Sequence, residues 1–187
     1  MNKKTAILSL LLLLISALSV SAQDKDDKTE KLSDKIAANI IDEIDFGVGL
    51  KQHGVTPLFA GINLGYHIIP RLHVYARYEG MIGLSNVGDN RAYDKTWNLG
   101  GGIGYTFYYM KYKGETTTKW SVRAQVTNSI GSVDWKNTSY SIGVYSQCKS
   151  TKFARSPLFG IGFKHINSHT EGIRDYNSLF VCMGLGF

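Results

Sequence analysis

A period-two alternation of apolar residues with small or polar residues recurs in eight segments between Ile44 and Phe187. From Leu58 to Ile68, for example, every second residue is apolar, and the residues between them include Gly61 and Asn63. Such an alternation places successive side chains on opposite faces of a β-strand. Each segment is about ten to fourteen residues long, and turn residues such as Pro70 separate neighbours. The sequence therefore predicts an all-β chain of eight strands.

The two faces of these strands differ in a way that predicts which face is inside. One face is apolar throughout, and the other is rich in glycine and carries polar and charged residues, namely Lys51, Asn63, His67, His73, Arg77, Glu79, Arg123, Gln125 and Lys164. A water-soluble barrel of the lipocalin sort would turn the apolar face inward, and its ligand cavity would then have an apolar lining. We favour the opposite arrangement, an eight-stranded antiparallel up-and-down transmembrane β-barrel, because a closed barrel leaves no sheet edge in a bilayer.

The residues before the first strand predict two further segments. Residues 1–22 have the pattern of a secretory signal peptide, with Lys3 and Lys4, an apolar run and a small-residue site that ends at Ala22. Residues 23–43 form a polar periplasmic segment, in which apolar residues spaced by four predict a short amphipathic helix over about 30–42. The barrel then occupies residues 44–187.

The last strand carries the features of a known class. Apolar residues alternate from Leu179 to Phe187, where the sequence ends on an aromatic residue. With the signal and the eight alternating strands, the chain resembles the small outer-membrane β-barrels of the OmpA/OmpX type. The resemblance implies a place in the bacterial cell outer membrane, with both termini in the periplasm. It also implies that Phe187 is an assembly signal for the barrel assembly machinery.

The charge of the chain predicts its partners. The net charge is +6, and the excess of basic residues lies in the predicted barrel. For an exported chain, the partners that we expect are outer-membrane lipids and the phosphates of lipopolysaccharide, not nucleic acid. We find no phosphate-binding loop and no metal-ligand spacing, and we expect no cofactor.

Charged residues on the inward face predict a polar network in the lumen. Its expected members are Arg77, Glu79, Arg123, Gln125 and Lys164, in which cations outnumber anions. Eight strands enclose an interior that side chains nearly fill, so we expect ion pairs that close the lumen. A narrow anion-preferring pore is the alternative.

A second group of residues raises the possibility of catalysis. His165, Ser168, Glu171 and Asp175 lie close together in sequence before the last strand. This pattern resembles that of outer-membrane lipid A deacylases, which carry a His-x-Ser pair on their penultimate strand. Here the pair is one residue longer, so a regular strand places His165 and Ser168 on opposite faces. We favour a structural, adhesive or loop-mediated binding role, with a lipid A-modifying esterase as an alternative. Whether Cys148 and Cys182 form a disulfide stays open.

Overall fold

The computed structural model of the protein describes residues 39–87, 90–112, 115–149 and 155–186. The predicted signal peptide, Phe187 and most of the predicted periplasmic segment therefore lie outside the described residues. Within the part of the chain that is described, no helix is long and apolar enough to cross a membrane.

The described residues form one closed, all-antiparallel barrel in which each strand pairs with its neighbours in sequence and β1 pairs with β8. The strands are β1 (Ile40–Gly49), β2 (Val55–Ile69), β3 (Leu72–Val87), β4 (Asn90–Tyr112), β5 (Glu115–Ser129), β6 (Asn137–Cys148), β7 (Ser156–Ser168) and β8 (Tyr176–Gly186). The predicted eight-stranded up-and-down barrel is confirmed. We call the end at which β1 begins and β8 ends the proximal end, and the other end the distal end.

Three segments differ from the sequence prediction. Ile40 to Asp42, predicted as the last residues of a helix, belong to β1, and the rest of that helix lies outside the described residues. The sequence also predicts a polar loop over residues 85–95, but β3 and β4 stay paired out to Val87 and Asn90. Strands β4 and β5 likewise extend to Tyr112 and Glu115. The sequences of these extensions do not alternate regularly between apolar and polar residues, so they are typical of loops.

The strand register fixes the geometry of the barrel. Neighbouring outward residues connect Ile40 on β1 to Leu179 on β8 through Tyr66, Val74, Ile103, Ala124, Ile142 and Phe163. Leu179 in turn accepts a hydrogen bond from Leu50, which directly follows β1 and is ten residues beyond Ile40. With ordinary strand spacings, a stagger of ten residues over eight strands gives a tilt of about 40°.

The two faces of the barrel wall differ sharply. Large apolar side chains such as Phe46, Leu64 and Ile161 are exposed on the outer face, while charged and amide side chains are buried inside. An apolar cluster fills much of the rest of the interior; it consists of Phe59, Met81, Trp135, Tyr145, Leu158, Ile166, Tyr176, Phe180 and Cys182. The interior is therefore a packed mixture of polar and apolar side chains.

Candidate functional site

Six buried charged side chains form a chain of contacts through the lumen. We call them the lumen charge chain; its members are Glu43, Asp45, Arg77, Glu79, Arg123 and Lys164. Among the described residues, the lumen charge chain has three acidic and three basic members. This balance corrects the expectation that cations outnumber anions in the interior, because Glu43 and Asp45 were not counted as members of the lumen.

Arg77 on β3 lies at the centre of the lumen charge chain. Its guanidinium donates two hydrogen bonds to Asp45, at 2.6 and 2.8 Å, and two to Glu79, at 3.0 and 2.8 Å. A fifth bond, of 2.9 Å, goes to Asn63 Oδ1. All five N–H groups of the guanidinium therefore have partners. The guanidinium lies flat over Gly61, where a Cβ atom would collide with it.

Lys164 on β7 completes the distal side of the lumen charge chain. Its ammonium donates to both carboxylate oxygens of Glu79, at 2.9 and 3.0 Å. It also lies 4.0 Å from the centroid of the Phe59 ring, within the range of a cation–π interaction. Glu79 therefore serves two cations, Arg77 and Lys164, and is itself fully buried.

Arg123 on β5 forms the proximal end of the lumen charge chain, and its partner is Glu43 rather than Glu79. The guanidinium donates to the two oxygens of Glu43 at 2.5 and 3.0 Å. Asn63 joins this pair to the rest, because its amide donates to Glu43 at 3.3 Å and to Asp45 at 3.1 Å. The result is a continuous polar network across the barrel.

Gln125 and Tyr75 line the proximal part of the lumen. Gln125 accepts a hydrogen bond of 3.2 Å from the Tyr75 hydroxyl and makes no ion pair. The Tyr75 ring lies 6.0 Å from the His73 ring, and the His73 ring lies 5.2 Å from the His67 ring. These three rings form a column along β3 and β2 towards the proximal opening.

Neutral polar residues occupy the distal part of the lumen. Thr96, Asn98 and Asn137 hydrogen-bond one another at 3.1 to 3.3 Å, and Asn137 also donates to the Trp135 carbonyl at 3.0 Å. Beyond them lies a pocket of about 460 Å³, whose lining includes His53, Trp135, Ile173, Arg174 and Asp175. The distal end thus offers a concave surface with apolar and charged groups.

The predicted catalytic candidates do not form a relay. His165 Nδ1 contacts Asn177 Oδ1 at 2.6 Å, whereas Ser168 Oγ contacts the Thr170 carbonyl at 3.5 Å. The register of β7 with β6 is regular through Ser168, so His165 and Ser168 lie on opposite faces of the strand. Asp175 accepts a hydrogen bond of 2.9 Å from the Ser168 backbone amide, and Glu171 is exposed.

Both cysteines are free thiols. Cys148 lies at the proximal end of β6, where Thr118 Oγ1 is 3.8 Å from its sulfur. Cys182 is buried within the apolar cluster, in the middle of β8. No group of three or more potential metal-ligating side chains occurs in the described ranges.

Sequence reasoning missed Glu43 because it began the barrel at Ile44, and it left Asp45, which lies within the predicted first strand, out of the lumen network. The spacing of four between Ile36, Ile40 and Ile44 fits one face of a helix, but it equally fits one face of a strand. The strand alternation in fact continues back to Ile40, with Glu43 and Asp45 on the inward face. An unpaired excess of inward cations was the signal that acidic partners were missing.

The fold and its filled interior define a class, the closed eight-stranded antiparallel β-barrels. Compared with family models, curated proteins and solved structures, the chain has no match.

Proposed function

We propose that the chain is an outer-membrane β-barrel of the OmpA/OmpX type, with a closed lumen and a structural or loop-mediated binding role. The observation that carries the proposal is the inverted arrangement of its faces. Apolar side chains cover the outside of the wall, and the lumen charge chain lies inside. Exposing this apolar outer surface to water is unfavourable by about 25 cal/mol per Å², whereas the acyl chains of a bilayer are an apolar environment for it.

Aromatic residues on the outer face support the same proposal. Tyr66, Tyr105 and Trp120 lie outward near the proximal end, and Trp97 and Tyr140 lie outward nearer the distal end. Trp97 and Tyr105 are eight positions apart on β4, which is about 20 Å along the barrel axis at this tilt. Transmembrane barrels carry aromatic girdles at both edges of an apolar band about 25 Å tall. The signal-like pattern of residues 1–22 is consistent with export.

The interior supports a closed barrel rather than a pore. The lumen charge chain links β1, β3, β5 and β7 across the interior, and the apolar cluster packs beside it. An eight-stranded barrel has little space beyond that of its own side chains. We therefore expect no steady conductance in planar bilayers. A stable anion-selective channel from the wild-type protein would instead favour the pore.

The test uses the three tryptophans, which lie on different sides of the wall. Trp97 and Trp120 point outward, and Trp135 is 1 % exposed in the interior. Three variants, each with one tryptophan kept and the others changed to Phe, are folded into vesicles that contain lipids brominated on the acyl chains. We expect strong fluorescence quenching of Trp97 and Trp120 and weak quenching of Trp135.

Trp135 serves as the matched control, because it reports quenching that does not come from the outer face. Equal quenching of the three residues, or none, would contradict the arrangement in a bilayer. Cell fractionation complements this test. We expect the protein in the outer-membrane fraction, and a freely soluble periplasmic product would overturn the proposal.

The distal pocket supports the loop-mediated part of the proposed role. In an outer-membrane barrel with its termini in the periplasm, the distal end faces the outside of the cell. The backbone of His53 there has a positive φ of 50°, which is uncommon for a residue other than glycine. The pocket combines the Trp135 ring with the charges of Arg174 and Asp175, a mixture that suits a small polar ligand with an apolar part.

A further inference from the structure

Two histidines face each other across adjacent strands at the proximal end of the lumen. His67 on β2 is the register partner of His73 on β3, and both follow the inward alternation of their strands. Directly opposite residues of an antiparallel pair have Cβ atoms about 4.5–5.5 Å apart. Both side chains therefore lie on the same face of one hairpin, close enough to contact the same bound atom.

The ring nitrogens of this pair have no hydrogen-bond partner among the described residues. His73 is only 2 % exposed, and both its Nδ1 and its Nε2 are unpaired, as is Nδ1 of His67. Buried polar atoms in native proteins nearly always have a partner, so each exception calls for an explanation. A neutral imidazole binds a metal through its unprotonated nitrogen, so the two adjacent rings offer one potential metal-ligating atom each.

We propose that His67 and His73 form a two-histidine site for a divalent transition metal such as Zn²⁺, Ni²⁺ or Cu²⁺. Imidazole is a preferred ligand of these ions. Two imidazoles bound to one tetrahedral ion at about 2.0–2.1 Å have ring centroids about 5 Å apart. The observed separation of the two rings is 5.2 Å, with an angle of 65° between their planes.

Neighbouring strands enclose the inner side of the site, and His67 lies towards the proximal opening. The His73 ring lies over Gly104, where a Cβ atom would collide with Nε2, so this glycine makes room for the ring. The nearby cation Arg123 is neutralised by its two hydrogen bonds to Glu43, and Lys119 extends into solvent. His67 is only half-buried, so an ion that comes from the proximal opening meets this ring first and can keep water as its remaining ligands.

The test is metal binding by the detergent-folded protein, prepared without a polyhistidine tag. Electron paramagnetic resonance of added Cu²⁺ should show coordination by two imidazole nitrogens, and calorimetry with Ni²⁺ should give one site per chain. We expect His67→Gln and His73→Gln each to weaken binding by about tenfold or more, because even residues beyond the ligands change metal affinity about 10- to 100-fold. His165→Gln is the matched control, since its ring points outward and contacts Asn177, and it should bind as the wild type does.

Two results would overturn the proposal. One is a Cu²⁺ spectrum of the wild-type protein without two-imidazole coordination. The other is unchanged Ni²⁺ affinity in His67→Gln, a variant that we expect to fold because this side chain is half-buried. If His73→Gln does not fold, the wild-type spectrum and His67→Gln still decide. Metal binding by the two histidines of the β2–β3 hairpin is independent of where the barrel is located, so its failure would leave the membrane proposal untouched.

Discussion

Replacing Glu79 with Ala removes a carboxylate that two buried cations, Arg77 and Lys164, share. Arg77 keeps its hydrogen bonds to Asp45 and Asn63, whereas Lys164 loses both of the hydrogen bonds described for its ammonium. A buried charge left without its partner costs about 3–5 kcal/mol. We therefore expect Glu79→Ala to lower the free energy of unfolding by about 3–5 kcal/mol.

The reverse substitution should be milder, because the acid has a second partner. In Lys164→Met, Glu79 keeps its two hydrogen bonds from Arg77, so we expect a loss of only about 1–2 kcal/mol. The double variant Glu79→Ala/Lys164→Met leaves no unpaired lysine in the lumen. We expect it to be more stable than Glu79→Ala alone by about 1 kcal/mol. Because Lys164→Met alone costs about 1–2 kcal/mol, this corresponds to a coupling of about 2–3 kcal/mol, the size found between contacting residues.

The measurement is urea unfolding of the detergent-folded protein, followed by tryptophan fluorescence and by the heat-dependent shift in electrophoretic mobility. Glu171→Ala is the control, since Glu171 is exposed in the distal connection, and it should change stability by less than about 0.5 kcal/mol. Equal effects of Glu79→Ala and Lys164→Met, or a double variant as unstable as Glu79→Ala, would refute the reasoning.

Three further predictions concern other parts of the barrel. Gly61→Ala places a methyl group against the Arg77 guanidinium, which five hydrogen bonds hold in place; we expect a loss of about 1–3 kcal/mol in urea unfolding, and an Ala variant as stable as the wild type would contradict the packing. Maleimide should label Cys148 faster than the buried Cys182 in the folded protein, and both equally after unfolding; mass spectrometry gives the two rates, and equal rates before unfolding would be inconsistent with this burial. Lipid A acyl patterns should be identical in cells with the wild type, His165→Ala or no protein, because His165 and Ser168 lie on opposite faces; an acyl change that needs both the protein and His165 would revive the esterase.

The fold followed from the sequence because one simple physical pattern extends over the whole barrel. Inward and outward side chains alternate strictly in a strand. The apolar residues at every second position from Leu58 to Ile68 therefore predict both a β-strand and which of its faces points outward. The pattern failed where the sequence does not alternate regularly, as around Val87 and Asn90, where β3 and β4 are nevertheless paired. There the pairing is set by the neighbouring strand rather than by apolar periodicity.

The site was less predictable than the fold, because pairing depends on three-dimensional distance. Sequence placed Arg77, Glu79, Arg123 and Lys164 on the inward face, but it did not assign partners. Arg123 and Glu43 are 80 residues apart, and Lys164 and Glu79 are 85 residues apart. Such partners become neighbours only through the closure and stagger of the barrel.

Glu43 and Asp45 give the first strand a second attachment. Among the described residues, the ladder between β1 and β8 has seven residue pairs, fewer than the nine between β1 and β2, which makes it the seam at which the wall would part most readily. Through the lumen, however, Asp45 is bonded to β3 and Glu43 to β5. If β1 moved outward and separated from β8, Arg77 and Arg123 would lose these acidic partners. The ion pairs in the lumen therefore oppose lateral opening of the barrel between β1 and β8. Opening and loss of these ion pairs should occur together, as one cooperative event.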